Sequence, residues 1–425
     1  MKKAHCPVER INPEDGWNYF FGYYDRCPWN KAGTHVLAHR ASFIDHFPNP
    51  EDVAELGLID LSTKQFHKFA ETTAWNWQQG SQMQWVDYDG KECVIYNRRK
   101  DNKVVAAIVN PYTKETIRQY DTSIYIVSSK KQLALTLNYP RLFDTRKDYG
   151  VSGLTDKYYS VNAPDDDGVF LLDLQSGQSK LIVSTSTLCG IGQSDIRSFK
   201  QRVNHLMFNP SGTRFCFLHR YNRLDGIMQS RLFTSDLNGT DVRLLFEGMI
   251  SHYDWKDDGT ILAWAGARKL IGAGSNSKTT PMTLVKRCLK PIYYALGKPR
   301  ILMRKIMGDS FYLIDDNADM QSNHRRIGED VLYCDGHCTF SPDNRWVLTD
   351  GYTDANNCLP LFLYNVNSGT AYEVGRYKTP KELDGELRVD LHPRFNKQGT
   401  AVLVDSAMSG KRGMYIIDVK SITSK

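Results

Sequence analysis

Short runs of alternating apolar and polar residues, each closed by a polar turn, recur along the whole chain. Phe208 leads into Asn209-Pro210-Ser211-Gly212 and the apolar stretch 214–218. Phe340 leads into Ser341-Pro342-Asp343-Asn344 and 346–349, and Phe395 into Asn396-Lys397-Gln398-Gly399 and 401–404. Trp255 leads into Lys256-Asp257-Asp258-Gly259 and 260–265 in the same way. Period-two alternation broken by Asn, Gly and Pro reads as strand, turn, strand. Three weaker copies begin at Arg26, Gln82 and Ile124. Most copies are followed by a closing strand that ends in a polar residue, such as Leu58-Ile59-Asp60, Leu171-Leu172-Asp173 and Ile416-Ile417-Asp418.

Seven copies of one hairpin unit predict an all-β chain, a seven-bladed β-propeller occupying residues 1–425 as a single domain. The 425 residues give about 61 per blade, against roughly 40–45 in the shortest propeller repeats. Several blades must therefore carry long loops, and 41–55 and 142–167 fit that need. Residues 1–20 precede the first copy and are expected to complete the last blade, 386–419.

His205, His252, His337 and His392 each stand three residues before the aromatic of their copy. Equivalent positions of successive blades fall on one ring about the axis, so four imidazoles are predicted at the mouth of the channel. Asp390, two residues before His392, shares its strand face. Imidazoles with a carboxylate suit a divalent metal of the Mn, Fe, Ni or Zn kind. The same histidines can instead bond a substrate or act as bases.

Second strands end in His39-Arg40, Asn97-Arg98, Asn138 with Arg141 nearby, and His219-Arg220. This register predicts a crown of guanidiniums over the channel, suited to carboxylates. The plainer alternative pairs each arginine locally. Trp75-Asn76-Trp77-Gln78-Gln79-Gly80 offers indoles and amides for a sugar, or packing between blades. Asp165-Asp166-Asp167 lacks calcium-loop spacing and reads as an acidic turn.

Charge changes the picture in one place. The net charge is +6, yet residues 268–308 hold ten Lys/Arg and no Asp/Glu, so the remainder is about −4. This basic, partly helical insertion within blade five suits an anionic membrane surface, a polyanion or self-association. A net acidic remainder argues against nucleic acid. Nine scattered cysteines without CxxC spacing imply free thiols and a cytoplasmic location. No apolar run approaches the 18 residues of a membrane span.

Ser251-His252-Tyr253-Asp254-Trp255, Phe215-Cys216-Phe217-Leu218-His219 and Asp390-Leu391-His392-Pro393-Arg394-Phe395 resemble motifs of the oligogalacturonate lyases. The second resembles the strand carrying that family's catalytic histidine, and the third its His-Pro-His-Pro metal segment, with Asp390 where the family has histidine. The resemblance is strongest over residues 200–419; ulvan-type lyases are a second propeller relative. It implies a cytoplasmic seven-bladed propeller that uses a divalent metal, manganese by preference, to cleave an anionic oligosaccharide or polysaccharide by β-elimination. It implies His219 as base with Arg220 as carboxylate partner, and His252, His337, His392 and Asp390 as metal ligands. Arg40, Gln79, Arg98, His205 and Arg388 are the candidate substrate contacts. A uronate C5-epimerase begins with the same proton abstraction. A non-catalytic propeller that binds an anionic glycan or scaffolds an envelope complex is the alternative from another class.

Overall fold

The repeated turn is built one way in three blades. The Asn30 side-chain oxygen accepts from Thr34 N at 2.8 Å and His35 N at 3.0 Å. Asn209 accepts likewise from Thr213 N at 2.9 Å and Arg214 N at 3.0 Å, and Asn396 from Thr400 N at 2.9 Å and Ala401 N at 3.1 Å. Each turn passes through a glycine at positive φ, Gly33, Gly212 or Gly399. An asparagine that caps its own turn and a glycine free of Cβ clashes fix the hairpin locally. The repeat is thus a backbone device before it is a chemical one.

The computed structural model describes residues 1–192, 196–223, 228–266, 308–316 and 323–424. The basic insertion, except for Gly308, lies outside the described residues. Seven antiparallel units follow in chain order. Blade one is Asn18–Phe20, His35–Ala41, Ala54–Asp60 and Phe66–Thr72. Blade two runs from Gln84–Tyr88 to Thr116–Gln119, and blade three from Ile126–Val127 to Ser179–Ser184. Blades four and five share the long strand Arg243–Asp257. Its first part pairs with Met228–Asp236 and its second with Thr260–Gly266. The change of partner falls between Gly248 and Met249, where Gly248 has φ +141°. Blade six runs from Thr339–Phe340 to Ala371–Lys378, and blade seven contains Arg394–Phe395, Ala401–Ser406 and Gly413–Asp418.

The N-terminus joins both final blades. Val8–Arg10 pairs antiparallel with Gly413–Asp418 and becomes the outer strand of blade seven, as the order of elements predicts. Lys2–Lys3 adds a parallel edge strand to blade six. Apolar clusters fill the seams between blades. Met207, Leu218, Tyr253 and Trp255 pack between blades four and five, and Leu361, Leu391, Val404 and Ile417 between six and seven. Each blade hides its faces against its neighbours, which is why no blade is a stable unit alone. No helix among the described residues is long and apolar enough to cross a membrane.

Candidate metal centre at the channel mouth

The segment leaving the first strand of blade one fills the channel. Asp405 of blade seven accepts from Phe21 N at 2.9 Å and Gly22 N at 3.3 Å. Gly22 has φ +131°, and a Cβ there would stand 3.1 Å from Gln79 O. This turn sends Tyr23 and Tyr24 to the axis. Tyr23 meets His205, His392 and His337 at ring separations of 5.3, 5.0 and 5.6 Å. Tyr24 lies 5.8 Å from His252, donates to Tyr253 O at 3.0 Å and accepts from Tyr253 N at 3.1 Å. Arg26 reaches Gln79 O and Tyr125 O, while Arg394 of blade seven donates to Tyr24 O at 3.1 Å. One strand exit from blade one therefore touches every other blade except the outer parts of the sheets.

Above this plug the four histidines converge. His252 and His337 have ring centroids 4.1 Å apart, and His337 and His392 4.4 Å. His205 stacks on Tyr23 at an interplanar angle of 18°. His205 and His392 sit at φ +54° and +42°, and Gln82, the equivalent residue of blade two, at +59°. Left-handed backbone is uncommon for such residues and is held by the fold around it. It turns these side chains out of the alternation of their strands and toward the axis.

Second partners fix the rings. Asp350 accepts from His337 N at 2.7 Å and lies 3.0 Å from His337 Nδ1. Asp335 lies 2.9 Å from His252 Nδ1. His337 Nε2 and His392 Nε2 are buried and have no hydrogen-bond partner among the described residues. His337, Asp390 and His392 present ligand atoms all within 4.8 Å of one another. A histidine tied to a carboxylate through Nδ1 and free at Nε2 is the usual supported metal ligand. Burial lowers the affinity of His337, His392 and His205 for a proton, so each imidazole is neutral and able to donate a lone pair. Burial alone would raise the Asp390 carboxyl, but the Arg388 guanidinium beside it outweighs that and holds it at about 2. Two nitrogens and a carboxylate oxygen thus fit a borderline divalent ion.

The expected arginine crown does not form, because the residues at second-strand ends staple the segments that lead into the following blades. His39 Nε2 accepts from Ser81 N at 3.0 Å, and Asn97 accepts from Ile124 N at 2.9 Å, each in the following blade. The arginine after each clamp faces the other way. Arg40 donates to Glu55 at 2.7 Å and covers Trp17 and Phe66, well away from the channel. Arg98 stands with Tyr96 in the seam of blades one and two. Arg141 is spent on Asp156 and the carbonyls of Gln201 and Asn162. Only Arg220 remains near the mouth, donating to Ser230 Oγ at 3.0 Å and Ile250 O at 2.8 Å.

The other expected site residues divide. Arg388 stands at the rim, donating to Asp390 at 2.8 Å, Asp148 at 2.9 Å and Tyr149 at 3.3 Å. Gln79 is buried and donates to the Tyr125 hydroxyl, which is 3.4 Å from His205 Nδ1. His219 is not brought to the cluster. Its ring faces Phe233 and Tyr221, and its Nδ1 lies 3.5 Å from Arg231. Trp75 and Trp77 are packing residues: their indole N–H groups donate to Asp52 O and His46 O at 2.8 Å, with Phe20 and Phe43 around them.

Several residues of the mouth were not singled out from the sequence. Arg202 is buried opposite Arg220 in the sheet, its Nε and Nη1 without partners, and burial with Arg220 pulls it down to about 9. Tyr23, Asp335 and Asp350 complete the set. Asp350 ends the second strand of blade six, the position already marked in blades one to four, and extending that register would have found it.

No protein family's sequence profile matches the chain, and no curated protein matches it. Among solved structures, an oligogalacturonate lyase in complex with manganese superposes with a TM-score of 0.60 and 16% identity, covering 100% of both chains. Oligogalacturonate lyase from Vibrio parahaemolyticus gives a TM-score of 0.59 and 14% identity over 99% of each chain. At these identities the likeness establishes a shared fold over the full length, and the chemistry must be argued from the residues themselves.

Proposed function

We propose that the chain is a lyase that cleaves an anionic, uronate-containing oligosaccharide by metal-assisted β-elimination. The observation that carries this reading is the convergence of His252, His337 and His392 with Asp390 at one channel mouth, beside buried Arg202 and Arg220 and the rim Arg388. The likeness in fold to oligogalacturonate lyases supports it.

The proton alpha to a uronate carboxylate is too weakly acidic to be removed while that carboxylate keeps its full charge. His337, His392 and Asp390 would hold a divalent ion, manganese by the fold likeness, which would supply positive charge to that group. Arg220 and Arg202 add donors that need no reorganisation when charge moves onto the carboxylate oxygens. His205 is the base in this reading: a neutral imidazole, stacked on Tyr23, takes the C5 proton. The electrons of the C5–H bond form the C4–C5 double bond, and the pair of the C4–O bond leaves with the oxygen. Tyr23, buried with an unpartnered hydroxyl and kept protonated by that burial, supplies a proton to the departing oxygen.

The test compares His205→Ala with His219→Ala on oligogalacturonides, following the ultraviolet absorbance of the new double bond. His205→Ala is expected to lose at least about 100-fold in kcat, the range of general base catalysis, while keeping its metal. Loss of turnover in His219→Ala alone would reverse the assignment. Inversion at C5 without new absorbance would make the protein an epimerase instead. A cytoplasmic location, matching the free thiols, is part of the same proposal.

A further inference from the structure

The channel has a second mouth. Below the plug lies a cavity of about 1020 Å³, on the face where the repeated turns sit and away from the histidines. Its floor is the underside of the plug. Asp25 and Asp254, both partly buried, face Arg26 and Arg394 there, so the floor is close to neutral. Its walls include Trp29, Trp85 and Trp255. The N–H groups of Trp85 and Trp255 donate to Pro28 O and Met207 O, and the Trp29 N–H is buried without a partner among the described residues.

Charge at this mouth is not balanced. Seven Lys/Arg line the cavity against four Asp/Glu. Lys31 is matched by Asp87 at 2.6 Å and Lys256 by Asp257 at 3.3 Å. Lys130, Lys131 and Lys397 have no carboxylate in ion-pair range among the described residues. The three come from blades three and seven and approach one opening, where their fields add. The chain outside the basic insertion is net acidic, so a cationic mouth is not a general property of this surface.

We propose that this second mouth is a binding site for a small multivalent anion, bearing carboxylate or phosphate groups on a body that lies against the indoles. Lys130, Lys131 and Lys397 hold its charges. The site is separate from the histidine cluster, because the Tyr23-Tyr24-Asp25-Arg26 plug stands between them.

The test titrates the full-length protein with tricarballylate or with inorganic phosphate at constant ionic strength, reading tryptophan fluorescence and thermal melting. A saturable change with a rise in Tm above a chloride control is expected for at least one anion, and the responding anion identifies the headgroup chemistry. Reversing the three exposed lysines (Lys130→Glu, Lys131→Glu and Lys397→Glu together) is expected to weaken binding at least tenfold. His337→Ala is expected to leave it unchanged. Absence of saturation with both anions would overturn the proposal. So would binding that survives the triple reversal, or binding lost equally in His337→Ala, which would put the anion at the histidine mouth. Because the lysines are exposed, the variants should melt cooperatively, and the melts themselves report this.

Discussion

His337 is gripped at its backbone and its ring by one carboxylate, Asp350. That double contact leaves Nε2 as the only free valence and aims it at the space shared with His392 and Asp390. Asp350→Asn keeps the shape and removes the charge that strengthens the imidazole as a ligand. Manganese affinity, measured by calorimetric titration, is expected to fall about 10–100-fold, the usual effect of losing such a partner. An unchanged affinity would show that His337 does not ligate. Gly80 is a different residue-scale constraint. Its φ is +58°, and a Cβ would lie 2.3 Å from the His39 ring. Gly80→Ala is therefore expected to cost about 1–3 kcal/mol, seen as an earlier chemical-denaturation midpoint, by displacing the His39 clamp.

The hairpin is the scale at which most of the fold was legible. The Asn-x-x-Gly turn dictates its own hydrogen bonds, and the three-residue step from histidine to aromatic fixes where each imidazole enters the channel. Convergence of four histidines thus followed from local spacing. What the second-strand ends do was not legible, because it depends on the neighbouring blade. The arginines that follow His39 and Asn97 look like an anion-binding series in the sequence, yet His39, Asn97 and, in blade seven, Asp405 each bond the segment next to a strand of the following blade. Arg40 and Arg98 sit one residue later, and strand alternation turns them away from those clamps. Nor could spacing reveal that the Phe-Gly-Tyr-Tyr-Asp exit plugs the channel, since its partners include residues of distant blades such as Tyr253 and Asp405.

The Asp405 clamp makes the element sensitive to pH. Burial pushes its carboxyl up to about 7, although the Phe21 and Gly22 amides and Arg412 pull the other way. Its ordinary value is 3.8, so between there and about 7 the folded state holds a proton that the unfolded chain has released. Stability from this group is full below its unfolded value and is lost as pH rises through the folded one. Asp405→Asn removes the titration. Its melting temperature is expected to fall less steeply than that of the parent protein between pH 4 and 7. An identical slope in both would show that Asp405 does not titrate there.

At the scale of the whole molecule, a ring of blades is only as strong as its last seam. Blade seven is completed by Val8–Arg10, with Ile11 N donating to Met414 O and Asp418 N to Pro7 O, both at 3.0 Å. Lys2–Lys3 and the Ala4 N bond to Glu373 O reach blade six as well, so ten residues sew two blades together. Each of these hydrogen bonds is worth about 0.5–1.5 kcal/mol net, and buried Cys6 and Ile11 add apolar contact. Deleting residues 1–10 leaves Gly413–Asp418 as a bare edge strand, which is also a template for pairing with other chains. The truncated protein is expected to melt at least about 5 °C lower and to form concentration-dependent oligomers, read by calorimetry and light scattering. The same opening would loosen Asp405 from Phe21 and Gly22, so Tyr23 would lose its place beside the histidines. Turnover in the proposed reaction should therefore fall below the melting transition, before the sheets themselves unfold. A truncated chain that keeps full turnover up to its melting temperature would show that the plug is held by the inner strands alone, independently of the closure.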